Sequence, residues 1–337
     1  MNEGSRVLAR LKRSIDIEWI REYETDSSHS NFWLVCDSCS RLYICKEVYD
    51  TTLAGTELCV RYEYTALDIA SRMGLAPKPI LFDEELRILV VQYVDAEQNR
   101  DISFDGIVER AKYAQRLSTA QVEDERLFLK KHDKFEADIA GSMRLLQEAE
   151  EILSREKIKP GLDVTKRNDC AVCSEELDKF ELVSREVSLL CTYMEDELAK
   201  LPYVLSHNDL VADNFLKSLT GRHYMIDFET VGLSKADFII GQLAVDGEID
   251  WNLGEEEAVP IEQLYSSLNC IFDGIVSYRL FLARMLERLL QNVCYGYRQL
   301  AIGYERGYSH EYMNQKRRVV DFCMYRIERI KEMFLDG

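Results

Sequence analysis

Two short stretches concentrate side chains that can handle charge and protons. The first, LSHNDLVADNFL from Leu205 to Leu216, sets His207, Asn208, Asp209, Asp213 and Asn214 between apolar residues. The second, YMIDFET, ends an apolar run with Asp227 and Glu229. Far upstream, YICKEV places Lys46 among apolar neighbours. Transfer of a phosphoryl group from ATP needs a lysine on the phosphates and an acid that positions it. It also needs a carboxylate beside the attacking hydroxyl, and Asn or Asp oxygens for Mg²⁺, a hard cation.

Each part has a candidate. A lysine on a buried strand is costly unless paired, and Glu63 on the helix that follows is the expected partner of Lys46, with Glu57 the competing acid. The other reading of Lys46 is a lysine that reaches solvent with its stem covered. Asp209 and Asn214 are five residues apart, the spacing of the kinase loop H-R-D-x-x-x-x-N with Asn208 in place of arginine. Asp209 would accept the substrate's proton or orient its hydroxyl, and Asn214 would offer its carbonyl oxygen to Mg²⁺. His207 is expected to brace the loop rather than react, and Asp213 to face solvent. Asp227 would be the second metal ligand, in the part of the DFG aspartate. Glu229 replaces the glycine of that motif and would reach the metal directly or through water. Alone, HND…N also reads as a polar turn; its occurrence together with IDFE and Lys46 points to a site.

Elements able to position these residues can be read from periodicity. DIEWIREYE, NFWLVCD and RLYICKEV are rich in aromatic and β-branched residues, with TDSSHS and DSCS as polar turns, which predicts three antiparallel strands. In RLYICKEV, Leu42, Ile44 and Lys46 alternate with Tyr43, Cys45 and Glu47. A helix is expected next, with Leu58, Tyr62, Leu67, Ile69 and Ala70 as its stripe and Gly74 at its end. LAPKPILFDEELRILVVQYVD predicts two more strands around an acidic hairpin. Residues 103–200 read as mostly helical. Leu177, Phe180, Val183, Val187, Leu190, Met194 and Leu198 mark one face of a long helix, and KIKPGLDVTKRNDCAVC reads as an exposed loop. Strand-like pieces return at YVLSHNDL and HYMIDFE, and the chain is helical again from Ile261.

Composition sets outer limits. With 337 residues, one large domain or two lobes is expected. Apolar residues at 47% and charged residues at 30% are ordinary for a globular chain. A formal charge of −18 repels nucleic acid and anionic membrane and attracts a cationic ligand, although surface acid also serves plain solubility. MNEGSRVLARLKRS lacks the apolar run of a signal peptide, and no membrane-spanning stretch is visible. Ten scattered cysteines suit a reduced, cytoplasmic chain. The CxxC pairs Cys36–Cys39 and Cys170–Cys173 could together hold zinc, but nothing in the expected fold unites them. These features suit a single chain and a homodimer equally.

HNDLVADNF followed by IDFETVG resembles the aminoglycoside phosphotransferase and choline kinase superfamily, and most closely the bacterial choline and ethanolamine kinases, whose loop reads like HNDLVPENF. YEYTALDIASRMGLAPKPILFDEELRILVVQYVD is similar to the helix, GLAP entry and run into the hinge of the same family. The resemblance is concentrated in residues 58–95 and 205–245. It implies a bilobal, protein-kinase-like α+β fold, with an N-terminal nucleotide-binding lobe over 1–94 and a catalytic lobe over 95–337 that carries a helical insertion around 101–200. It implies ATP and Mg²⁺, and a small hydroxyl substrate that is a cationic amino alcohol. The alternatives are an aminoglycoside or other sugar-alcohol acceptor, and a nucleotide-binding pseudokinase that works as an interaction module. In this alignment Ser28, Ser30 and Asn31 lie near the nucleotide, and Gln92, Tyr93 and Val94 form the adenine-contacting hinge. Trp251, Tyr295, Tyr297 and Asp246 are the candidates for holding the acceptor by cation–π contact and charge. Two departures stand out: TDSSHS has no glycine, and NVCYGYRQ offers tyrosines where the family has tryptophans.

Overall fold

The computed structural model describes residues 9–23, 30–48, 52–53, 56–57, 60–98, 101, 103–122, 131–132, 134–156, 174–252 and 259–336. Two compact units divide the chain. One comprises Met1–Asp101, Lys112–Lys131 and Leu205–Leu233; the other comprises Ile102–Ala111, His132–Val204 and Ser234–Gly337.

In the first unit the alternating segments form a sheet. Strands β1 (Ile17–Glu22), β2 (Ser30–Asp37), β3 (Leu42–Val48), β4 (Pro79–Asp83) and β5 (Ile88–Gln92) pair antiparallel in the order β1-β2-β3-β5-β4. Val35, Tyr43, Cys45, Ile88 and Val90 pack on one face with Leu11 and Ile15. Successive side chains point to opposite faces, so Leu42, Ile44 and Lys46 share the other face. Lys46 sits mid-sheet, opposite Phe32 on β2 and Leu89 on β5.

The β2–β3 turn is built by Asp37. Its carboxylate accepts from the backbone N–H of Cys39 (3.0 Å) and Arg41 (2.9 Å), from Arg41 Nε (2.7 Å) and from Tyr43 OH (2.9 Å). The turn thus has a hydrogen-bonding reason for its residues. Cys36 is buried and Cys39 exposed, while Cys170 and Cys173 lie outside the described residues.

Helix α1 (Val60–Arg72) buries Val60, Glu63, Ala66, Leu67 and Ala70. This corrects the expected stripe, in which Tyr62 and Ile69 faced the core. The face is harder to see in sequence because one of its members is a charged residue whose partner lies on β3. Gly74 ends the helix with φ +74°, and Leu75 N–H donates back to Ala70 O (2.8 Å), a left-handed cap as expected.

A three-stranded sheet orders the second half of this unit. β8 (Phe215–Ser218) pairs antiparallel with both β6 (Ala96–Gln98) and β9 (His223–Met225). The expected strand HYM therefore pairs with FLKS, while β7 (Tyr203–Ser206) belongs to a different three-stranded sheet. FLKS is only four residues long and follows a run of polar residues, so alternation did not reveal it.

The second unit is mainly helical. α3 (Phe135–Glu156), α4 (Ser174–Thr192), α5 (Glu195–Lys200), α6 (Ala236–Asn252), α7 (Ile261–Ile271), α8 (Tyr278–Arg306) and α9 (His310–Asp336) belong to it, and α2 (Phe104–Ser118) contributes to both units. Phe180, Val183, Val187, Leu190, Met194 and Leu198 are buried as expected, but the single long helix is interrupted at Tyr193 and Met194. Met194 N–H closes onto Cys191 O, and Met194 O then accepts from Leu198 as α5 begins. No helix among the described residues is long and apolar enough to cross a membrane.

Arg284 on α8 is the electrostatic centre of this unit. Its side chain is fully buried; Nε donates to Asp237 Oδ2 on α6 (2.7 Å), and Nη1 to Asp138 Oδ2 on α3 (2.8 Å) and to Glu287 Oε2 (3.2 Å). The guanidinium lies 4.1 Å from the Phe135 ring centroid. A Cβ on Gly241 would come within 2.5 Å of Arg284 Cγ, so the glycine makes room for this arginine. Replacing Arg284 with Met should cost about 3–5 kcal/mol, because it strands buried carboxylates. Urea unfolding measures this, and an Arg284→Met variant as stable as wild type would refute the role.

Candidate active site

All the residues proposed for phosphate, metal and proton handling that the structure describes fall in the first unit. Their meeting point is the Lys46 ammonium. Lys46 Nζ lies 3.2 Å from both carboxylate oxygens of Glu63, 2.9 Å from Asp227 Oδ1 and 2.9 Å from Glu229 Oε2. Lys46 and Glu63 are buried, whereas the Asp227 side chain is 38% exposed. Glu63 rather than Glu57 is therefore the acid that holds the lysine. Burial opposes the charged ammonium, but Glu63 first, then Asp227 and Glu229, hold its pKa well above the ordinary lysine range. Burial pushes Glu63 up, against the pull of Lys46 and with the help of Asp227 and Glu229, to about 7.

The loop before the metal candidates is fixed by its backbone. Asn208 and Asp227 both adopt left-handed conformations, with φ +62° and +61°. Asn and Asp tolerate this region better than most residues. Asn208 Nδ2 donates to Thr230 O (3.0 Å), and Thr230 Oγ1 donates to His207 O (2.9 Å). These two bonds lock the HND loop to the turn Phe228–Thr230 that carries Glu229. His207 is buried, donates from Nε2 to Ile226 O (2.7 Å) and meets the Phe228 ring edge-on at 4.5 Å between centroids. Burial lowers its pKa, against the raising influence of the Ile226 carbonyl, so the ring is neutral at pH 7. This geometry gives His207 a bracing contact with the residue next to Asp227.

Asp209 and Asn214 meet directly. Asn214 Nδ2 donates to Asp209 O (3.1 Å) and to Asp209 Oδ2 (2.8 Å). With the side-chain nitrogen committed to Asp209, the side-chain Oδ1 of Asn214 is left for another partner. Ile226 N–H donates to Asn214 O (2.9 Å), which ties the loop to the strand end before Asp227. Asp213 is exposed, as expected.

Helix α1 and this hairpin are joined at one point. Met225 N–H donates to Leu75 O (2.7 Å) and Arg222 Nη2 to Gly74 O (3.0 Å). The helix carrying Glu63 and the strand leading to Asp227 are thereby held in one frame. Sequence periodicity gave no hint of this tie, because its acceptors are backbone carbonyls.

The cluster suits a divalent cation. Among the described residues, no three His, Cys, Asp or Glu side chains form a preformed metal cage. Three carboxylates nevertheless converge on one ammonium, which leaves excess negative charge, and Asn214 adds a neutral oxygen. Mg²⁺ is commonly bound in this way, by one or two carboxylates with substrate phosphates completing its shell.

Other expected residues are placed as follows. Ser28 lies outside the described residues; Ser30 is buried; Asn31 is exposed, its Nδ2 3.4 Å from Glu47 Oε2. Gln92 N–H donates to Lys78 O and Tyr93 N–H to Leu42 O, which leaves the Val94 region as the end of the sheet ladder. Asp246, Tyr295 and Tyr297 belong to the second unit, and the Trp251 side chain is outside the described residues. Asp246 is already paired with Arg288 at 2.8 Å and 3.2 Å. Tyr295 is 43% exposed, while Tyr297 is buried edge-on against Phe180, so these two rings do not form one aromatic cage.

The Glu63 carboxyl makes the site pH-sensitive. Its folded pKa is raised above the ordinary 4.5, so its contribution to stability is fully present below 4.5 and is lost as pH rises through about 7. Relative to Glu63→Gln, wild type should lose on the order of 1–3 kcal/mol across that window. Urea unfolding at several pH values tests this, and parallel curves for the two proteins would contradict it.

No family model and no curated protein matches the chain. Solved structures do match. The chain is similar to choline kinase LicA from Streptococcus pneumoniae, with a TM-score of 0.61 and 15% identity over 96% of this chain and 100% of that one. It is similar to an ethanolamine kinase from Plasmodium vivax, with a TM-score of 0.61 and 16% identity over 94% of this chain and 84% of that one. A third similar structure is an aminoglycoside phosphotransferase from Alicyclobacillus acidocaldarius, with a TM-score of 0.60 and 11% identity over 96% and 94%. The sheet-bearing unit with its single helix, the mainly helical remainder and these likenesses together establish that the chain has the protein-kinase-like fold shared by choline and ethanolamine kinases and aminoglycoside phosphotransferases.

Proposed function

We propose that the protein is a small-molecule kinase that transfers the γ-phosphoryl group of ATP to a substrate hydroxyl. The observation that carries this reading is the convergence of Glu63, Asp227 and Glu229 on the Lys46 ammonium, in the same unit as the bonded pair Asp209–Asn214. A pseudokinase has no need of the complete set.

The roles follow from charge and reach. Lys46, held by Glu63, binds the phosphates. Asp209 takes the hydroxyl proton as the substrate oxygen attacks the γ-phosphorus. The bond from that phosphorus to the β,γ-bridging oxygen breaks, and ADP leaves. Asn214 and Asp227, assisted by Glu229, would hold Mg²⁺, which supplies charge neutralisation at the β- and γ-phosphates. His207 and Asn208 position these residues through backbone bonds. Gln92, Tyr93 and Val94 serve the adenine, and Ser30 and Asn31 the phosphate-covering loop.

A choline- or ethanolamine-like amino alcohol is the acceptor we favour. The likeness to choline and ethanolamine kinases and the charge of −18 support a cationic substrate. The second reading, an aminoglycoside acceptor, draws support from the likeness to a spectinomycin phosphotransferase solved with ADP and spectinomycin, at a TM-score of 0.58 and 13% identity over 95% of this chain and 97% of that one. The ion-paired Asp246 and the divergent Tyr295 and Tyr297 lend the amino alcohol no extra weight.

ADP release across a panel of amino alcohols and aminoglycosides separates the two acceptors. With the accepted substrate, Asp209→Ala should lower turnover by about 10²–10⁴-fold. Asp227→Ala should lower it by at least about 10²-fold with the protein still folded. Retained turnover in either variant would sink the assignment.

A further inference from the structure

Lys46 engages the carboxylates on which a divalent cation would depend. Its ammonium bonds Asp227 Oδ1 and Glu229 Oε2, each at 2.9 Å, while Glu63 faces it from α1 with both oxygens at 3.2 Å. The Lys46 side chain is 7% exposed and that of Glu229 is 14%, so water screens the contact weakly. The two acids named above as metal ligands are thus already engaged by a cation that belongs to the chain.

We infer that Lys46 is an internal competitor for the divalent metal: it occupies the charge of Asp227 and Glu229 until nucleotide phosphates draw its ammonium away, so that metal is accepted with nucleotide rather than alone. The inference rests on the reading of Asp227 and Glu229 as metal ligands.

Coulomb balance gives the reason. A metal that arrives alone must compete with an ammonium that is tethered, desolvated and held in place by Glu63. Its gain is the difference between two cation–carboxylate contacts, not the whole of one. Nucleotide phosphates offer Lys46 a replacement anion and bring further oxygens to the metal. Binding of nucleotide and metal is then mutually reinforcing, as linkage requires. Glu229 matters here because it is a second carboxylate on Lys46 from the metal side. With Asp227 alone the hold on the ammonium from that side would be halved.

Removing Lys46 alone would raise metal affinity trivially, by making the site more negative. The decisive variant is Lys46→Met/Glu63→Gln, compared with wild type above pH 8, where Glu63 is ionised, so that one positive and one negative charge are removed together. Mn²⁺ binding without nucleotide, followed by electron paramagnetic resonance, should tighten by at least about tenfold relative to wild type. Adding Asp227→Asn to the double variant should abolish that gain. Equal Mn²⁺ affinity in wild type and the folded double variant would overturn the inference, as would a gain that survives Asp227→Asn.

A measurement on wild type guards against misfolding of the variant. In protein labelled with ¹⁵N-lysine, Mg²⁺ together with nucleotide should move the Lys46 Nζ signal, identified by its absence in Lys46→Arg, while the same Mg²⁺ without nucleotide should leave it in place. A signal that Mg²⁺ alone moves as far as Mg²⁺ with nucleotide overturns the inference. Failure of the kinase reading shows differently: no acceptor on the panel then gives ADP release, whatever the metal affinities.

Discussion

One buried ammonium organises the sheet-bearing unit. Lys46 lies in the middle of a five-stranded sheet, and a charge there is tolerable only with partners. Glu63 comes from the helix, and Asp227 and Glu229 from the turn after the second sheet. Glu63 lies more than 160 residues from the Asp227–Glu229 pair, and Lys46 is the point at which they meet. Burying such a group is weak evidence for stability and stronger evidence for a task, since an apolar core of the same size would cost less.

The surroundings of that contact are polar but ordered. Asn208 and Asp227 hold left-handed backbones, and Thr230, His207 and Ile226 supply the bonds that keep them there. In the other unit Arg284 works in the opposite sense, one cation enclosed by acids on three helices. Both cations face three acids, but those around Arg284 are buried and bind helices to one another, whereas at Lys46 the Asp227 carboxylate is open to solvent, where a ligand can reach it.

Much of this could be read from residue order. The alternation in RLYICKEV put Lys46 on the face opposite Tyr43 and Cys45, and the pairing with Glu63 follows. The five-residue spacing of Asp209 and Asn214 became a direct hydrogen bond. What escaped had physical causes. The buried face of α1 contains Glu63, so a search for apolar stripes shifted the register. The strand Phe215–Ser218 is too short for alternation to show. The break at Tyr193 lies within an unbroken apolar stripe, since the helix restarts with its face preserved. The acceptor residues were the least legible: acids and aromatics on late helices look alike whether they bind a ligand or, as with Asp246 and Tyr297, a neighbouring side chain.

The tie between Gly74–Leu75 and Arg222–Met225 also limits how α1 can move. The helix is moored at its C-terminal end to the strand that leads to Asp227, while Glu63 sits in its first turn. Any swing of α1 about the moored end would therefore move the first turn, with Glu63, more than the last. Withdrawal of the lysine's partner would need no shift of the helix as a whole, only a small tilt. The acid that steadies the ammonium sits near the free end of a lever whose fulcrum is fixed to the strand leading to Asp227.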